Sequence, residues 1–310
     1  MLKFCIKRSF HFVFLIWAAS SITFCFIHLI PGDPVVHILG EGSNKEDIQR
    51  LRSELKLDES ILNQYVDFQK SLLFLDFGKS IVNRKKVIDN ILIYLPNTLF
   101  LSIFAMGIAV LLSFPMGILA AFKQNSFFDS LVTFISSTGI ALPNFLLGPL
   151  LILLFSIRLG WFPVSGSEGV EYLILPSLTL GLSMTSFLTR IIKASIAMEI
   201  NKSYVVLAKS KGFSDLKIFF KHILKNALTP IITTLGLQMG ALLTGTIITE
   251  TIFSWQGIGC LLIQSINRRD YPMIQGVVVF MTITYLFVHL LVDIIYLIIN
   301  PRQLNEIKKK

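Results

Sequence analysis

The sequence predicts an all-α polytopic membrane protein with six transmembrane helices and both termini in the cytoplasm. Three observations carry that expectation. Of the 310 residues, 53% are apolar and only 15% charged, and the mean hydropathy is +0.70; soluble domains carry roughly 25% charged residues. The charges fall between long uncharged stretches. Lys and Arg concentrate in alternate connections, so the net charge of +9 records membrane orientation and not a nucleic-acid-binding face.

A helix needs about 20 apolar residues to cross the hydrocarbon core. Six stretches qualify: Ser9 to Ile30, Leu99 to Phe122, Ser130 to Ile157, Tyr172 to Thr189, Ala227 to Thr249 and Tyr271 to Ile299. Lys3, Lys7, Arg8 and Lys123 lie on one side of this array. The basic residues between Arg190 and Lys225, with Arg302 and Lys308 to Lys310, fall on the same side. The short opposite loops hold only Arg158, Arg268 and Arg269, which puts both termini inside. The first apolar run is longer than a signal-peptide core, so it is expected to remain as a helix.

The organisation follows. Residues 1–30 form the tail and first helix, 31–95 an extracytoplasmic amphipathic segment, 96–301 a five-helix core with a cytoplasmic loop at 190–230, and 302–310 a basic tail. Pro31-Gly32-Asp33-Pro34 breaks the chain. Glu46 to Tyr65 has helical spacing, predicting a small subdomain on the outer membrane surface. Within 190–230, a short helix ending at Gly212, a turn and a second helix leading to Pro230 are expected. Phe213, Phe219 and Phe220 make that loop a docking segment and not a solvated tether.

Catalytic and metal motifs are missing. Gly78-Lys79-Ser80 has Leu73 where a phosphate-binding loop needs glycine. The five His and three Cys show no ligand spacing, and neither an HExxH nor a GxSxG pattern occurs. Glu250 and Asp293 lie near predicted helix ends, where capping or pairing is favoured over proton coupling. Thr229, Thr233, Gln238, Thr244, Gly245, Thr246 and Thr249 punctuate the fifth span; such residues either pack helices closely or line an aqueous path. Gly139, Pro143, Asn144, Gly148 and Pro149 predict a kinked third span. Asn144, Gln238, Thr244, Thr246, Thr249 and Glu250 are the pathway candidates.

Five short stretches occur in sequence order: Leu29 to Pro34, Asp76 to Ser80, Leu95 to Leu99, Leu142 to Phe145 and Leu159 to Pro163. Tyr204 to Pro230 follows, then Glu250 to Gly259 and Arg269 to Pro272. Together they resemble the permease subunit of bacterial ABC importers of the peptide/nickel family. The resemblance covers nearly the whole chain and implies the type I importer fold in the inner membrane. Tyr204 to Pro230 is similar to the loop that inserts a short helix into an ATPase groove, although Val206-Leu207-Ala208 keeps only the last alanine of the Glu-Ala-Ala pattern. Tyr204, Ala208, Lys209, Lys211, Gly212, Asn226 and Pro230 would take the coupling role, with Ala208 allowing close approach to the groove.

The resemblance further implies a non-catalytic subunit that binds no cofactor, with ATP used by two partner ATPases. A second, similar permease, an extracytoplasmic binding protein and membrane lipid would be its other partners. Peptides are the expected cargo; nickel chelates, glutathione or another small solute are the alternatives. An ion-coupled secondary carrier is the competing class, for which the docking-like loop has no use.

Overall fold

The computed structural model describes residues 2–29, 35, 44–54 and 57–299, all helix, turn or loop with no strand among them. The expected break at Pro31-Gly32-Asp33-Pro34 and the basic tail at 302–310 lie outside the described residues. Helices α1 (Leu2–Leu29), α2 (Lys45–Glu54), α3 (Ile61–Leu73) and α4 (Val87–Phe122) open the chain. Next come α5 (Phe127–Ala141), α6 (Asn144–Leu151, continued by the π-helical turns Ile152–Arg158) and α7 (Val170–Ile200). The short α8 (Ser203–Ser210) and α9 (Asp215–Ile218) lead through a π-helical Phe219–Ile223 into α10 (Leu224–Gly245). Helices α11 (Ile247–Ile252), α12 (Ile258–Asn267) and α13 (Tyr271–Ile299) complete the order.

Five helices are long and apolar enough to cross a membrane, and a sixth span results if α5 and α6 count as one. That pair corrects the expected kink: the two halves meet at 103°. Leu142 is extended (φ −82°, ψ 113°) because the Pro143 ring excludes helical backbone before it, so α5 stops and α6 restarts after Pro143.

The fourth span also exceeds its expected end. Helix α7 continues past Arg190 to Ile200, placing Lys193 on a helix and not in a loop. There Lys193 pairs with Asp129 and also bonds Thr133 at 3.0 Å, fastening α7 to the start of α5. Pro230 sits inside the fifth helix and does not terminate it.

The chain divides into two compact units, Met1–Thr98 with Gln256–Leu286, and Leu99–Trp255 with Phe287–Lys310. In the first, the periodic run Glu46 to Tyr65 is two helices and not one. Ser60, extended and accepting from the Asn63 amide at 3.3 Å, caps a fresh helix, α3. Helix α3 runs antiparallel along α1: Gln64 meets His28 at 3.2 Å, Tyr65 meets Ser21 at 2.7 Å and Gln69 meets Ser20 at 2.9 Å. The Phe24 ring packs on Tyr65 and Phe68.

Four of the stretches carrying the resemblance pair up in this unit. Asp270 caps α13 by accepting from the Met273 amide at 3.4 Å, and its carboxylate also takes the Ser80 hydroxyl at 2.5 Å and the Ile81 amide at 3.1 Å. Thr98 Oγ1 accepts from the Ile258 amide at 2.8 Å, and Asn97 donates to the Gln256 carbonyl at 2.8 Å. Ser80 is therefore a clasp residue, on the only stretch resembling a phosphate loop.

In the second unit, α7 is the central element. Its buried Leu188, Ile192 and Ile196 join Val205 and Ala208 of α8 and Ile218, Phe219, Ile223, Ala227 and Ile231 of the fifth span in one core. Burial of this kind contributes about 25 cal/mol per Å² of apolar area. Gly117 allows the close approach of α4 to α7, since a Cβ there would lie 2.7 Å from Ile192.

Candidate functional site

The 199–226 region is a short helix strapped to the ends of two spans. Helix α8 ends in a Schellman motif: the Phe213 amide reaches the Ala208 carbonyl at 3.3 Å and the Gly212 amide the Lys209 carbonyl at 2.9 Å. Gly212 adopts φ +75°, the left-handed conformation that glycine enters without penalty. After this turn, Asp215 starts α9 and accepts an ion pair from Lys209 at 3.5 Å, and Lys217 lies over the Phe213 ring at 4.6 Å. Both contacts are near the surface and are worth little individually.

The two faces of α8 differ in kind. Val205 (2% exposed) and Ala208 (6%) belong to the protein's own core. Ala208 therefore permits close packing of α8 inside this chain. Tyr204 is half-buried and meets the exposed Asn226, whose amide donates to the Tyr204 hydroxyl at 3.1 Å. The Tyr204 hydroxyl donates in turn to Glu199, a buried carboxylate at the end of α7. Burial first, and then the Glu199 carboxylate, raise the Tyr204 pKa above its ordinary value, so the hydroxyl is a proton donor at neutral pH.

The outer face is apolar and unaccompanied: Val206, Leu207 (57% exposed) and Leu216 (73%), with Lys209, Lys211 and Lys217 around them. Glu199, Val206, Leu207 and Leu216 were not among the sequence candidates. An acid near the end of an apolar helix, five residues before Tyr204, was the signal available for Glu199.

The pathway candidates separate into two groups. Thr246, Thr249 and Glu250 are sealed in the interior, with Thr246 Oγ1 donating to Glu250 Oε1 at 2.8 Å. Glu250 stands in the first turn of α11, where a carboxylate complements the helix N-terminus, but it is wholly buried and not at a wet helix end. Asn144 and Gln238 are half-buried. The Gln238 amide donates to the Met184 carbonyl at 3.4 Å. Asn144 Oδ1 and Gln238 Oε1 are buried without a hydrogen-bond partner among the described residues. The Thr244 side chain lies outside the described residues. Helix α6 approaches α11 closely at Gly148, where a Cβ would stand 3.3 Å from the Phe253 ring. Among the described residues, no group of three His, Cys, Asp or Glu could hold a metal ion.

The fold is a polytopic helical bundle with a short helix strapped to two of its candidate spans, the class of a multi-span membrane protein. Comparison with known proteins fixes which one. Residues 113–305 match the binding-protein-dependent transport system inner membrane component family, and residues 1–102 match the N-terminal domain of such components. The chain belongs to that family. The Glutathione transport system permease protein GsiC of Escherichia coli (strain K12) is 38% identical over 301 residues, covering 97% of this chain and 98% of that protein. GsiC of Shigella flexneri serotype 5b is 37% identical over the same coverage. The fold is shared with a structure described as inward-facing conformations of the MetNI methionine ABC transporter. Its TM-score is 0.58 at 16% identity, over 68% of this chain and 97% of that one. The protein is thus a multi-pass inner-membrane permease of a binding-protein-dependent ABC importer, working with ATPase and binding-protein components.

Proposed function

We propose that this chain is the non-catalytic half of a heteromeric translocation unit, paired with a second homologous permease and two ATPase subunits. It holds no nucleotide itself; ATP is bound and hydrolysed on the partners. The observation that carries this reading is the exposed apolar face of α8 and α9, Val206, Leu207 and Leu216, on a segment otherwise locked to the bundle. Apolar groups held at a cytoplasmic surface by a rigid support are what a docking helix requires. Lys209, Lys211 and Lys217 border the face and complement an acidic rim on the ATPase. Gly212 and Pro230 act by shaping the segment, and Ala208, Tyr204 and Asn226 by seating it.

The cargo we assign is a small peptide, with glutathione, the tripeptide in the relatives' name, as the first member to test. Asn144 and Gln238 are the path residues this reading favours, because each carries a polar oxygen that nothing described in the chain satisfies. Mild-detergent purification of the tagged chain tests the assembly: a second permease and ATPase subunits should be recovered, whereas transport by the chain alone under an ion gradient would overturn it. Binding of glutathione, dipeptides and nickel by the cognate binding protein then orders the cargo classes.

A further inference from the structure

We infer that Glu199 is a positioning residue that locks the docking helix α8 to two spans at once, so that a displacement of α8 moves both. The inference rests on the docking reading above and adds a route by which the displacement travels. Glu199 is only 7% exposed, and a buried carboxylate is unfavourable unless its oxygens are paired. Both are paired here, to different partners. Oε1 accepts from the Lys202 ammonium at 2.5 Å and Oε2 from the Tyr204 hydroxyl, which itself accepts from Asn226. One carboxylate thereby joins the end of α7, the first turn of α8 and the first turn of α10.

The remaining contacts of α8 are chiefly the apolar packing of Val205 and Ala208, with a tilted Tyr204–His222 ring contact and the exposed Lys209–Asp215 pair beside it. Apolar contact resists separation but has no preferred direction, so a helix held by it alone can slide or roll. Hydrogen bonds weaken steeply with angle and distance and therefore fix a register. The two arms are unequal. Lys202 is half exposed, so its bond is screened by water, whereas Tyr204 is half-buried and its bond to Glu199 is the better shielded of the two. The chemistry also demands a carboxylate: both neighbours are donors, and a glutamine would present an NH₂ to one of them.

The test uses the assembled complex in proteoliposomes with its binding protein as purified, reading the ratio of binding-protein-stimulated to basal ATPase activity. Glu199→Gln and Tyr204→Phe should each lower that ratio about tenfold, the loss of one charge-assisted hydrogen bond. The double variant should be no worse than the poorer single, because both break one node. Lys202→Ala should cost less than about twofold. Ile196→Ala, in the same core but outside the node, should lower the yield of complex and leave the ratio alone. A ratio within twofold of the unmodified complex in both Glu199→Gln and Tyr204→Phe, or a multiplicative double, would overturn the inference. Failure of the docking reading looks different: Leu207→Asp would then leave the ATPases bound.

Discussion

The cytoplasmic loop around Tyr204 and Asn226 and the interior turn around Thr246 and Glu250 both place polar residues beside apolar spans, and they use them for opposite ends. In the loop, Glu199, Tyr204 and Asn226 satisfy one another, and Val206, Leu207 and Leu216 are left at the surface without such partners. At the interior turn, Thr246 and Glu250 also satisfy one another, but Phe253 and Trp255 are buried beside them and Thr249 is sealed as well. The same internal pairing produces a platform in one case and a plug of packed structure in the other. What distinguishes a contact surface from a brace is therefore where the unaccompanied groups are. In the loop they are apolar and exposed. Near the spans they are buried polar oxygens, those of Asn144 and Gln238 among them.

The sharpest way to break this contrast is Leu207→Asp. A charge on the platform should reduce ATPase co-purification and transport at least about 30-fold, the equivalent of ~2 kcal/mol at an interface hot spot. Membrane insertion should be normal, since Leu207 touches water and not the core. Normal recovery of the ATPases would show that the exposed face is not the platform.

Much of this was legible in residue order, and the exceptions have physical causes. The turn at Gly212 follows from a glycine after a short apolar repeat, and the structure supplies its Schellman bonds. The apolar stretches were legible as spans, but charge was a poor guide to where helices end. Arg190 and Lys193 lie inside α7, and the helix runs on to Ile200 because nothing in those residues breaks it. The third span was legible as interrupted, not as turned through 103°, because that angle is set by how α6 packs on α7 and α11. In the site, Tyr204 and Asn226 were legible as a pair of motif positions, while their mutual bond was not: 22 residues separate them, and only the returning chain brings them together. Glu199 is only five residues from Tyr204, and what residue order did not reveal there is its burial.

The interior turn is the other arm of the comparison. Glu250→Ala should remove the acceptor for Thr246 and destabilise the protein by ~2–3 kcal/mol, the range for a buried bond to a charged group. Thermal unfolding of the purified complex reads this directly. Glu250→Gln keeps an oxygen for Thr246 and should retain most transport, because the energy comes from ATP. Full loss of transport by Glu250→Gln with the complex intact would give the carboxylate a part in the path.

Gly212→Ala sharpens the loop arm. No atom lies within 4 Å of the added Cβ, so the cost is conformational alone, ~1–2 kcal/mol for a left-handed residue. Stimulated ATPase activity should fall about tenfold as α8 loses its end turn. Asn, which tolerates this conformation better, should recover part of it. Equal activity in Ala, Asn and Gly variants would mean that the turn does not set the platform.

The smallest expected effect lies in the first unit, which has its own internally satisfied brace. Asp270 holds the Ser80 hydroxyl, the Ile81 amide and the Met273 amide with two oxygens. In Asp270→Asn one oxygen becomes an NH₂ that faces donors, so one bond is lost, a cost of ~1 kcal/mol. The loss should appear as a lower unfolding temperature and faster proteolysis between Asp76 and Arg84. ATPase co-purification should not change, because Asp270 and the platform belong to different units. If Asp270→Asn instead released the ATPases while leaving the Asp76–Arg84 segment protected, the Asp270 clasp and the α8 platform would be one coupled device, and the separation of brace from platform would fail.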